Sequence, residues 1–428
     1  MILKQISISE YEKLLDKVER YDFLNMPEYI KLANDKIRPI ILLAGYEDNV
    51  PVIICPLSYF RLKKIFKLAQ VNYSPLFLVE NNKEQILDEF LKLLIKFVKK
   101  DKFIVSLRIV SDIRKTLYNN FDKIEDDKFG TNAIRIFKEN GFTHLPYEYY
   151  EPEGIKLALF SRSSYVRKID KDNYEELLKT FNVPSLRIAP LKAYGLKVKE
   201  LPLNEFSEFK NFADETYSKK GIKVNAYPNW IDSAEEYFGD KVKFIACYVD
   251  INESVNKLEE VISTYQSDVN KYTDMLEKNP NSKKVTNKLK EANELYETNK
   301  NRINDLMKLK ETVNSDIVYL YSAFFIIAKN EVYYVSAGRN QDVGDILKGQ
   351  SIYPVQEYML RYAIEHGKKY YNFLGTTPYF GEDAPDFGVQ KFKKNFNGNI
   401  EEFIGTFQIE CSKFAKYILP HYDLVFKR

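Results

Sequence analysis

A long helical pattern in the second half of the chain places the strongest constraint on its fold. Apolar residues recur at alternating spacings of three and four residues from Val255 to Leu276, and again from Val285 to Val313. A repeat of this period is typical of a coiled coil. Because an Asn-Pro-Asn turn at 279–281 separates two arms of similar length, the pattern predicts an antiparallel helical hairpin over 253–313, with arms roughly 40 Å long.

The function of this arm stays open from its sequence. It suits a spacer or dimerisation element, and it also suits an arm that contacts RNA. Residues 253–313 hold ten Lys and one Arg against eleven Asp and Glu, so their net charge is zero. Binding dominated by phosphate contacts needs excess positive charge. Since a coiled coil buries its own seam, we expect the rest of the chain to fold without the arm.

The sequence on either side of the arm predicts an α/β fold. Short segments of alternating apolar residues predict strands, and the amphipathic segment Asn82–Lys100 predicts a helix. After residue 150 a similar order of elements begins again, and it resumes beyond the arm. We therefore expect two copies of one α/β module. The first domain covers 1–150 and the second covers 151–252 and 314–428, with the arm of 253–313 inserted.

Composition excludes several classes of protein. The 64 Lys and Arg nearly balance the 61 Asp and Glu, and a net charge of +3 is too small to predict nucleic-acid binding from the whole chain. The three cysteines lie far apart, which predicts neither a disulfide framework nor a zinc site and favours a reducing compartment. The N-terminal residues lack a signal-peptide pattern, and no apolar stretch is long enough to span a membrane. We expect a cytoplasmic protein.

The segment Tyr371–Phe407 contains the most specific motifs in the chain. In chain order they are Tyr371-Asn372-Phe373, Gly375, Gly388-Val389 and Phe392-Lys393-Lys394-Asn395-Phe396. Further motifs lie upstream, namely Val332-Tyr333-Tyr334, Gly338 and Val355-Gln356-Glu357. With the two modules and the inserted arm, these motifs resemble the Fem family of bacterial aminoacyltransferases over essentially the whole chain.

The resemblance implies two acetyltransferase-like (GNAT) domains with a coiled-coil arm, which agrees with the α/β (α+β) fold class expected above. It implies an enzyme that moves an amino acid from an aminoacyl-tRNA to the stem-peptide amine of a peptidoglycan precursor, lipid-linked or UDP-linked, and so forms the interpeptide bridge. Neither a metal nor a coenzyme is expected, since the ester already stores the energy of the reaction. The resemblance leaves room for peripheral association with the inner membrane and for a homo- or heterodimer.

The resemblance assigns the chemistry to Lys393. Attack of an amine on an aminoacyl ester builds negative charge on the carbonyl oxygen, and a fixed cation or donor at that point lowers the barrier. A lysine buried between Phe392 and Phe396 would supply it. If this segment is extended, the neighbouring Lys394 faces the opposite side. The alternative is that Lys393 is a surface lysine with no part in the reaction.

Substrate binding is assigned to six further residues, which are Tyr333, Tyr334, Lys31, Lys36, Phe392 and Lys394. In the family a tyrosine of the strand that contains Tyr333 and Tyr334 helps to hold the acceptor. Adjacent strand residues face opposite sides, so only one of the two can line a cleft. Lys31 and Lys36 are the lysines near the aromatic segment Phe23–Tyr29, and neither falls cleanly at the family position that contacts precursor phosphates.

Two other positions depart from the family pattern. Val110 stands where the family often has an aspartate, with Asp112 two residues later, and Asn225 aligns with a family arginine. These departures leave the acceptor open. One alternative function is an N-acyltransferase that uses acetyl-CoA, although the nearest candidate phosphate loop, Gln341–Ile346, carries two acids. Another is a non-catalytic homologue that acts as a partner or scaffold.

Overall fold

The computed structural model describes residues 1–62, 64–146, 149–150, 156–157, 162–182, 194–202, 205, 212, 230–343, 351–377, 380–384 and 386–418. The strands are β1 (Ile2–Gln5), β2 (Ile40–Glu47), β3 (Val50–Leu62), β4 (Phe66–Asn72), β5 (Leu76–Phe77), β6 (Ile104–Asn119), β7 (Asp122–Asp126), β8 (Thr143–His144), β9 (Tyr149–Tyr150), β10 (Lys156–Leu157), β11 (Ser163–Lys168), β12 (Lys197–Leu201), β13 (Val242–Asp250), β14 (Ile317–Ile327), β15 (Glu331–Arg339), β16 (Tyr370–Gly375) and β17 (Asn399–Glu410). The helices are α1 (Ile8–Leu15), α2 (Pro27–Leu32), α3 (Lys83–Val98), α4 (Lys128–Glu139), α5 (Tyr174–Lys179), α6 (Ala234–Phe238), α7 (Ile251–Lys278), α8 (Lys283–Val313), α9 (Ile352–Glu365), α10 (Phe387–Lys394) and α11 (Lys413–Ile418).

One continuous sheet runs through the described part of the chain. Its order is β1-β2-β3-β4-β6-β17-β11-β16-β15-β14-β13-β12, with β5, β7 and β8 paired beside this path. Two neighbouring pairs in this order, β4–β6 and β15–β16, are parallel. Parallel neighbours need a crossover connection, and helices α3 and α9 supply it. The mixed α/β fold expected from the sequence is therefore present.

The sheet order reveals the internal repeat. The series β2-β3-β4-β6-β17 and β13-β14-β15-β16-β11 share one arrangement: three antiparallel strands, a parallel neighbour reached through a helix, and an antiparallel fifth strand. The fifth strand of the first half, β17, comes from the far end of the chain and pairs with β6 from Asn119 to Ser106. Strand pairing thus crosses the expected boundary between 1–150 and 314–428, and that division stays a prediction.

Within the described residues, three large groups of buried side chains form the core. One lies between the first half of the sheet and helices α3 and α4. A second lies between α5, α9 and the second half of the sheet. The third contains residues of α1, α2 and α6 together with strands of both halves, so it joins the two halves.

Helices α7 and α8 form the predicted antiparallel hairpin. The seam residues are half-buried or buried while the flanking residues are exposed, and the Lys288 ammonium lies 5.6 Å from the centre of the Tyr272 ring across the hairpin. At the base, Leu258, Leu306 and Leu309 are buried in the core of the second half. The base of the arm therefore packs against the second half as well as against itself, so the reason for expecting the rest of the chain to fold without the arm does not hold there. None of the described helices has the length and apolar composition that a membrane span requires.

Candidate active site

A cavity of about 650 Å³ has walls from both halves of the sheet. Its lining residues are Asp22, Phe23, Leu24, Tyr29, Lys36, Ile37, Arg38, Tyr73, Ser164, Trp230, Ser233, Leu374 and Gly375. The first half supplies most of them through the segment between α1 and β2. The second half supplies Leu374 and Gly375 at the end of β16. A volume of this size suits a small-molecule or peptide substrate.

Lys393 lies directly behind the second-half wall of this cavity. Its side chain is buried, and Nζ donates hydrogen bonds to the carbonyl oxygens of Leu374, at 3.0 Å, and Gly375, at 2.6 Å. Within the described residues these two acceptors use two of the three N–H groups of an ammonium, which leaves one donor for another acceptor. Lys393 is therefore not a surface lysine.

Burial also changes the acid–base behaviour of Lys393. Desolvation lowers the pKa of its ammonium to about 7, and the nearby negative charge of Asp386 opposes this shift. Asp386 is held in place by Thr377, whose backbone N–H and hydroxyl both donate to its carboxylate, and by the Gln390 amide at 2.7 Å. This network fixes the loop after β16 to the start of α10.

The backbone at Leu374 allows two consecutive carbonyls to face one atom. In a regular strand successive groups alternate in direction, but Leu374 has a φ of +56°, in the left-handed region that a branched side chain rarely adopts. Its N–H donates to Asn372 Oδ1 at 2.7 Å. Such a conformation costs on the order of 1 kcal/mol and persists where the surroundings hold it in place.

The segment Phe392–Phe396 is not extended, so the condition under which Lys394 was expected to face the opposite side is not met. Residues Phe387–Lys394 form helix α10, because Phe392 and Phe396 pack against the buried Phe373 ring at 6.1 and 4.6 Å between ring centres. Phe392 is thus part of the aromatic packing that surrounds Lys393. Lys394 is exposed, with its ammonium 5.0 Å from the Phe121 ring.

The cationic side of the cavity comes from the segment before β2. Lys36 is exposed and lines the cavity, as does the half-buried Arg38. Arg38 donates to the Tyr29 hydroxyl at 3.1 Å, and its guanidinium lies 4.2 Å from the Phe60 ring, while its buried Nε has no hydrogen-bond partner among the described residues. Lys31 does not line the cavity, since it pairs with Glu12 on the surface at 2.9 Å. Sequence reasoning missed Arg38, although it lies only two residues after Lys36.

A pair of carboxyl groups lies on the same side of the molecule. Asp22 lines the cavity and accepts a hydrogen bond from the Leu24 N–H at 2.9 Å. Burial raises the pKa of Asp22 to about 7, with a smaller contribution from Glu331. Burial likewise raises the pKa of Asp112 to about 8, and the charge of Asp22 adds to that shift. Val110, at the position where an aspartate was expected, is a buried core residue of β6.

The two tyrosines of β15 face opposite sides of the sheet, as expected. Tyr333 is buried, and the single proton of its hydroxyl is shared between two acceptors, the backbone carbonyl of Tyr21 at 2.7 Å and Glu331 Oε2 at 3.0 Å. Its ring packs against Phe23 at 5.6 Å, so it supports the cavity wall from behind. Tyr334 lies on the other face, where its hydroxyl is hydrogen-bonded to that of Tyr321. Their predicted contact with the acceptor stays a prediction, and Asn225 lies outside the described residues.

The acidic and basic groups near the cavity define what its chemistry can be. Among the described residues, no group of three or more His, Cys, Asp and Glu side chains could hold a metal ion. Among the described lining residues, the acidic and basic side chains are Asp22, Lys36 and Arg38, and Lys393 lies behind the wall. The arrangement therefore offers cations for an anionic substrate, a carboxylate for a proton and a buried ammonium beside the wall.

Comparison with known proteins identifies the family. The model of the FemAB family matches residues 6–421. Aminoacyltransferase FemA of Staphylococcus epidermidis is 27% identical over 363 residues, which is 84% of each chain. Aminoacyltransferase FemA of Staphylococcus aureus is 28% identical over 370 residues, or 85% of each chain.

A solved structure shares the fold over its full length. The crystal structure of FemX matches with a TM-score of 0.69 at 18% identity, and the match covers 100% of both chains. This agrees with the fold class expected from the sequence, an α/β chain with two acetyltransferase-like halves and an inserted hairpin. Because the family model spans nearly the whole sequence, the chain belongs to the FemAB family.

Proposed function

We propose that this protein is an aminoacyltransferase that moves an amino acid from an aminoacyl-tRNA to the stem-peptide amine of a peptidoglycan precursor. The observation that carries the proposal is the buried Lys393, whose ammonium holds two residues of the cavity wall and keeps one donor for a further acceptor. The name of both FemA relatives, aminoacyltransferase, supports the same reaction class.

The chemistry requires a donor at the ester carbonyl. The amine nitrogen attacks the carbonyl carbon, the oxygen gains negative charge, and the bond to the ribose oxygen then breaks as that oxygen takes up a proton. Lys393 donates its remaining N–H to the charged oxygen. Because the surroundings of Lys393 are dry, this interaction is stronger than it would be in water.

The attacking amine must also lose a proton. Stem-peptide amines are ammonium ions at neutral pH, so the cavity needs a proton acceptor. Asp22 is the carboxyl group among its described lining residues, and a pKa of about 7 suits proton transfer at neutral pH. The proton that Asp22 accepts can then pass to the leaving ribose oxygen.

The acceptor enters beside the cationic wall. Lys36 and Arg38 face the cavity with charges that suit the phosphates of a lipid-linked or UDP-linked precursor. The guanidinium of Arg38 is held by Tyr29 and Phe60. The proposal therefore assigns phosphate binding to Lys36 and Arg38, and it leaves Lys31 without a part in it.

The proposal is tested by supplying alternative donors and by removing the ammonium. Purified protein is incubated with a precursor whose stem peptide contains lysine and with mixed charged tRNAs or acetyl-CoA, and the products are identified by mass spectrometry. We expect aminoacyl addition from charged tRNA. Lys393→Met should lower turnover by about 10²–10³-fold, with little change in acceptor affinity, because the lost interaction belongs to the transition state.

Lys394→Met is the matched control, since it removes a neighbouring lysine that is exposed. It should keep turnover within a few-fold of the unmodified protein. Lys393→Met also removes the donor to the Leu374 and Gly375 carbonyl oxygens, so its folding is checked by thermal unfolding. An unfolded variant would mean that Lys393 is structural. Normal turnover in both variants, or acetyl transfer without aminoacyl transfer, would contradict the proposal.

A further inference from the structure

An aromatic cluster lies at the end of the first half where β6 begins. The rings of Phe66, Phe103 and Phe414 contact one another with centres 6.4 to 6.5 Å apart. They come from three separate segments, which are the start of β4, the residues before β6 and helix α11. We call these three segments, 64–67, 99–103 and 413–418, the basic–aromatic surface.

Two large aromatic side chains of this surface are at least half exposed. Phe414 is 50% exposed and Tyr417 is 72% exposed, which places both among the most exposed large apolar residues of the described chain. Residues three apart share one side of a helix, so both lie on the outer side of α11 while Ala415 is buried beneath. Adjacent exposed aromatics differ from the singly scattered apolar residues of ordinary surfaces.

Positive charge surrounds these rings. The three segments present six exposed lysines, which are Lys64, Lys67, Lys99, Lys100, Lys102 and Lys413. Two acidic residues offset part of this charge. Asp101 pairs with Lys67 at 3.0 Å, and Glu410 is exposed at the end of β17. A local excess of four charges exceeds the net charge of +3 of the whole chain.

We propose that the basic–aromatic surface docks on the anionic headgroup layer of a phospholipid bilayer. Tyrosine and phenylalanine rings insert favourably at the water–lipid boundary, because one part of that layer is apolar and the other is hydrated. Lysines beside them are attracted by anionic lipids. A soluble protein partner would need shape complementarity, whereas a bilayer needs only the combination of exposed rings and excess positive charge seen here.

The surface is separate from the cavity. Within strand β6, Ile104 lies beside the surface and Asp112 lies near enough to the cavity residue Asp22 to be affected by its charge. Eight residues of strand extend roughly 26 Å. None of the described residues of the surface lines the cavity, so docking does not use the cavity wall. The biological role of docking rests on the proposed function, because a docked enzyme would act near lipid-linked acceptors. Binding to vesicles can be measured without that activity.

The test is co-sedimentation of the full chain with vesicles of phosphatidylcholine alone or with added phosphatidylglycerol. We expect binding to the anionic vesicles only, and weaker binding as salt is raised. The triple variant Lys64→Gln, Lys102→Gln and Lys413→Gln should bind about 100-fold more weakly, since each lysine near an anionic surface strengthens binding by about five-fold. Tyr417→Ser should weaken binding at both low and high salt.

The matched control removes the same charge elsewhere. Lys271→Gln, Lys284→Gln and Lys300→Gln replace three exposed lysines of the hairpin, and this variant should bind vesicles nearly as well as the unmodified protein. Equal loss in both triple variants would overturn the proposal, as would equal binding to neutral and anionic vesicles. A fall in melting temperature without a loss of vesicle binding in Tyr417→Ser would also overturn it, because the ring would then serve the fold.

Two further measurements separate this proposal from the proposed activity. The triple variant of the surface should keep the rate of aminoacyl transfer to a water-soluble, UDP-linked acceptor. Lys393→Met should keep vesicle binding while it loses turnover. A protein that binds vesicles but transfers nothing would uphold the docking surface and refute the function.

Discussion

Burial moves the pKa values of two ionisable groups at the cavity toward neutral pH. The ammonium of Lys393 loses solvation and its pKa falls to about 7, whereas the carboxyl group of Asp22 loses solvation and its pKa rises to about 7. Each group can therefore exist in either form under physiological conditions. Family motifs identified Lys393 from the sequence. Asp22 carries no such motif, because its properties depend on which elements remove it from water.

Asp22→Asn should change stability in a pH-dependent way. The folded chain holds a proton on Asp22 up to about pH 7, whereas an unfolded aspartate releases it near pH 4. Folding is therefore penalised as pH rises from about 4 to 7, and asparagine removes the penalty while it still accepts from the Leu24 N–H. At pH 4 we expect the variant and the unmodified protein to have equal free energies of unfolding. At pH 8 we expect the variant to be more stable by on the order of 2 kcal/mol, a value reduced because solvent in the cavity screens Asp22.

Urea unfolding at several pH values measures this difference. A constant difference between pH 4 and pH 8 would mean that the pKa of Asp22 is not raised. Asp16→Asn offers a control with the same chemical change after α1, at a residue that does not line the cavity. It controls for the chemical change itself, and an equal pH dependence in both variants would contradict the assignment to Asp22.

At the scale of the element, the hairpin and helix α10 differ in how far their own sequence decides their conformation. The hairpin has an apolar repeat along nearly its whole length, with a buried Asn299 in the seam whose side chain accepts from Arg302 at 2.9 Å. A polar residue in a seam fixes the register of the two helices. Helix α10 has only two turns, and its sequence alone was compatible with an extended segment. Packing on Phe373 decides its conformation.

Shortening the hairpin should leave the body folded only if its base is kept. Removal of Ile262–Asn301 with a short glycine linker retains Leu258, Leu306 and Leu309, so the free energy of unfolding should change by less than about 1 kcal/mol. Removal of 256–312 takes these leucines out of the core and should cost several times more, since each buried leucine contributes about 2–5 kcal/mol. Urea unfolding of both variants provides the comparison.

The shorter deletion also separates the two roles of the arm. Lower affinity for charged tRNA, with a flatter dependence on salt, would support an RNA-contacting arm. Unchanged affinity would leave the spacer or dimerisation role. Equal destabilisation by both deletions would contradict the structural account of the base.

At the scale of the whole molecule, an ionic network joins the two halves. Arg20, after α1, donates to both carboxylate oxygens of Glu331 in β15, at 2.9 and 3.2 Å, and to Glu401 in β17 at 2.8 Å. Glu331 also accepts from Asn372 at 2.9 Å. Asn372 in turn accepts from the N–H of Leu374, so the network extends from the first half to the wall beside Lys393.

Arg20→Leu should destabilise the protein strongly. Glu331 is only 2% exposed, and loss of its partner would leave a buried charge uncompensated, which costs about 3 kcal/mol or more. The control Arg135→Leu breaks a pair with Glu139 in which both side chains are more than half exposed, and it should cost about 1 kcal/mol or less. Thermal and urea unfolding measure both. Similar losses in the two variants would contradict the importance of this network.

Periodicity in the sequence by itself determined the secondary structure that depends on residues close together in the chain. The hairpin follows from an apolar repeat, and the α/β order from alternating and amphipathic segments, since both patterns record which side of an element faces other protein atoms. The burial of Lys393 followed from motif resemblance and the flanking aromatic residues. These predictions needed no knowledge of which distant segments meet.

The tertiary structure alone decided which distant segments meet. Nothing in the sequence pairs β17 with β6, places Arg38 and Asp22 on one cavity, or assigns Tyr333 to the support of Phe23. The physical reason is that pairing, burial and pKa depend on contacts between residues that are not neighbours in sequence, some of them hundreds of positions apart. A local repeat indicates that a side is buried, but the partner that buries it is selected by the packing of the whole chain.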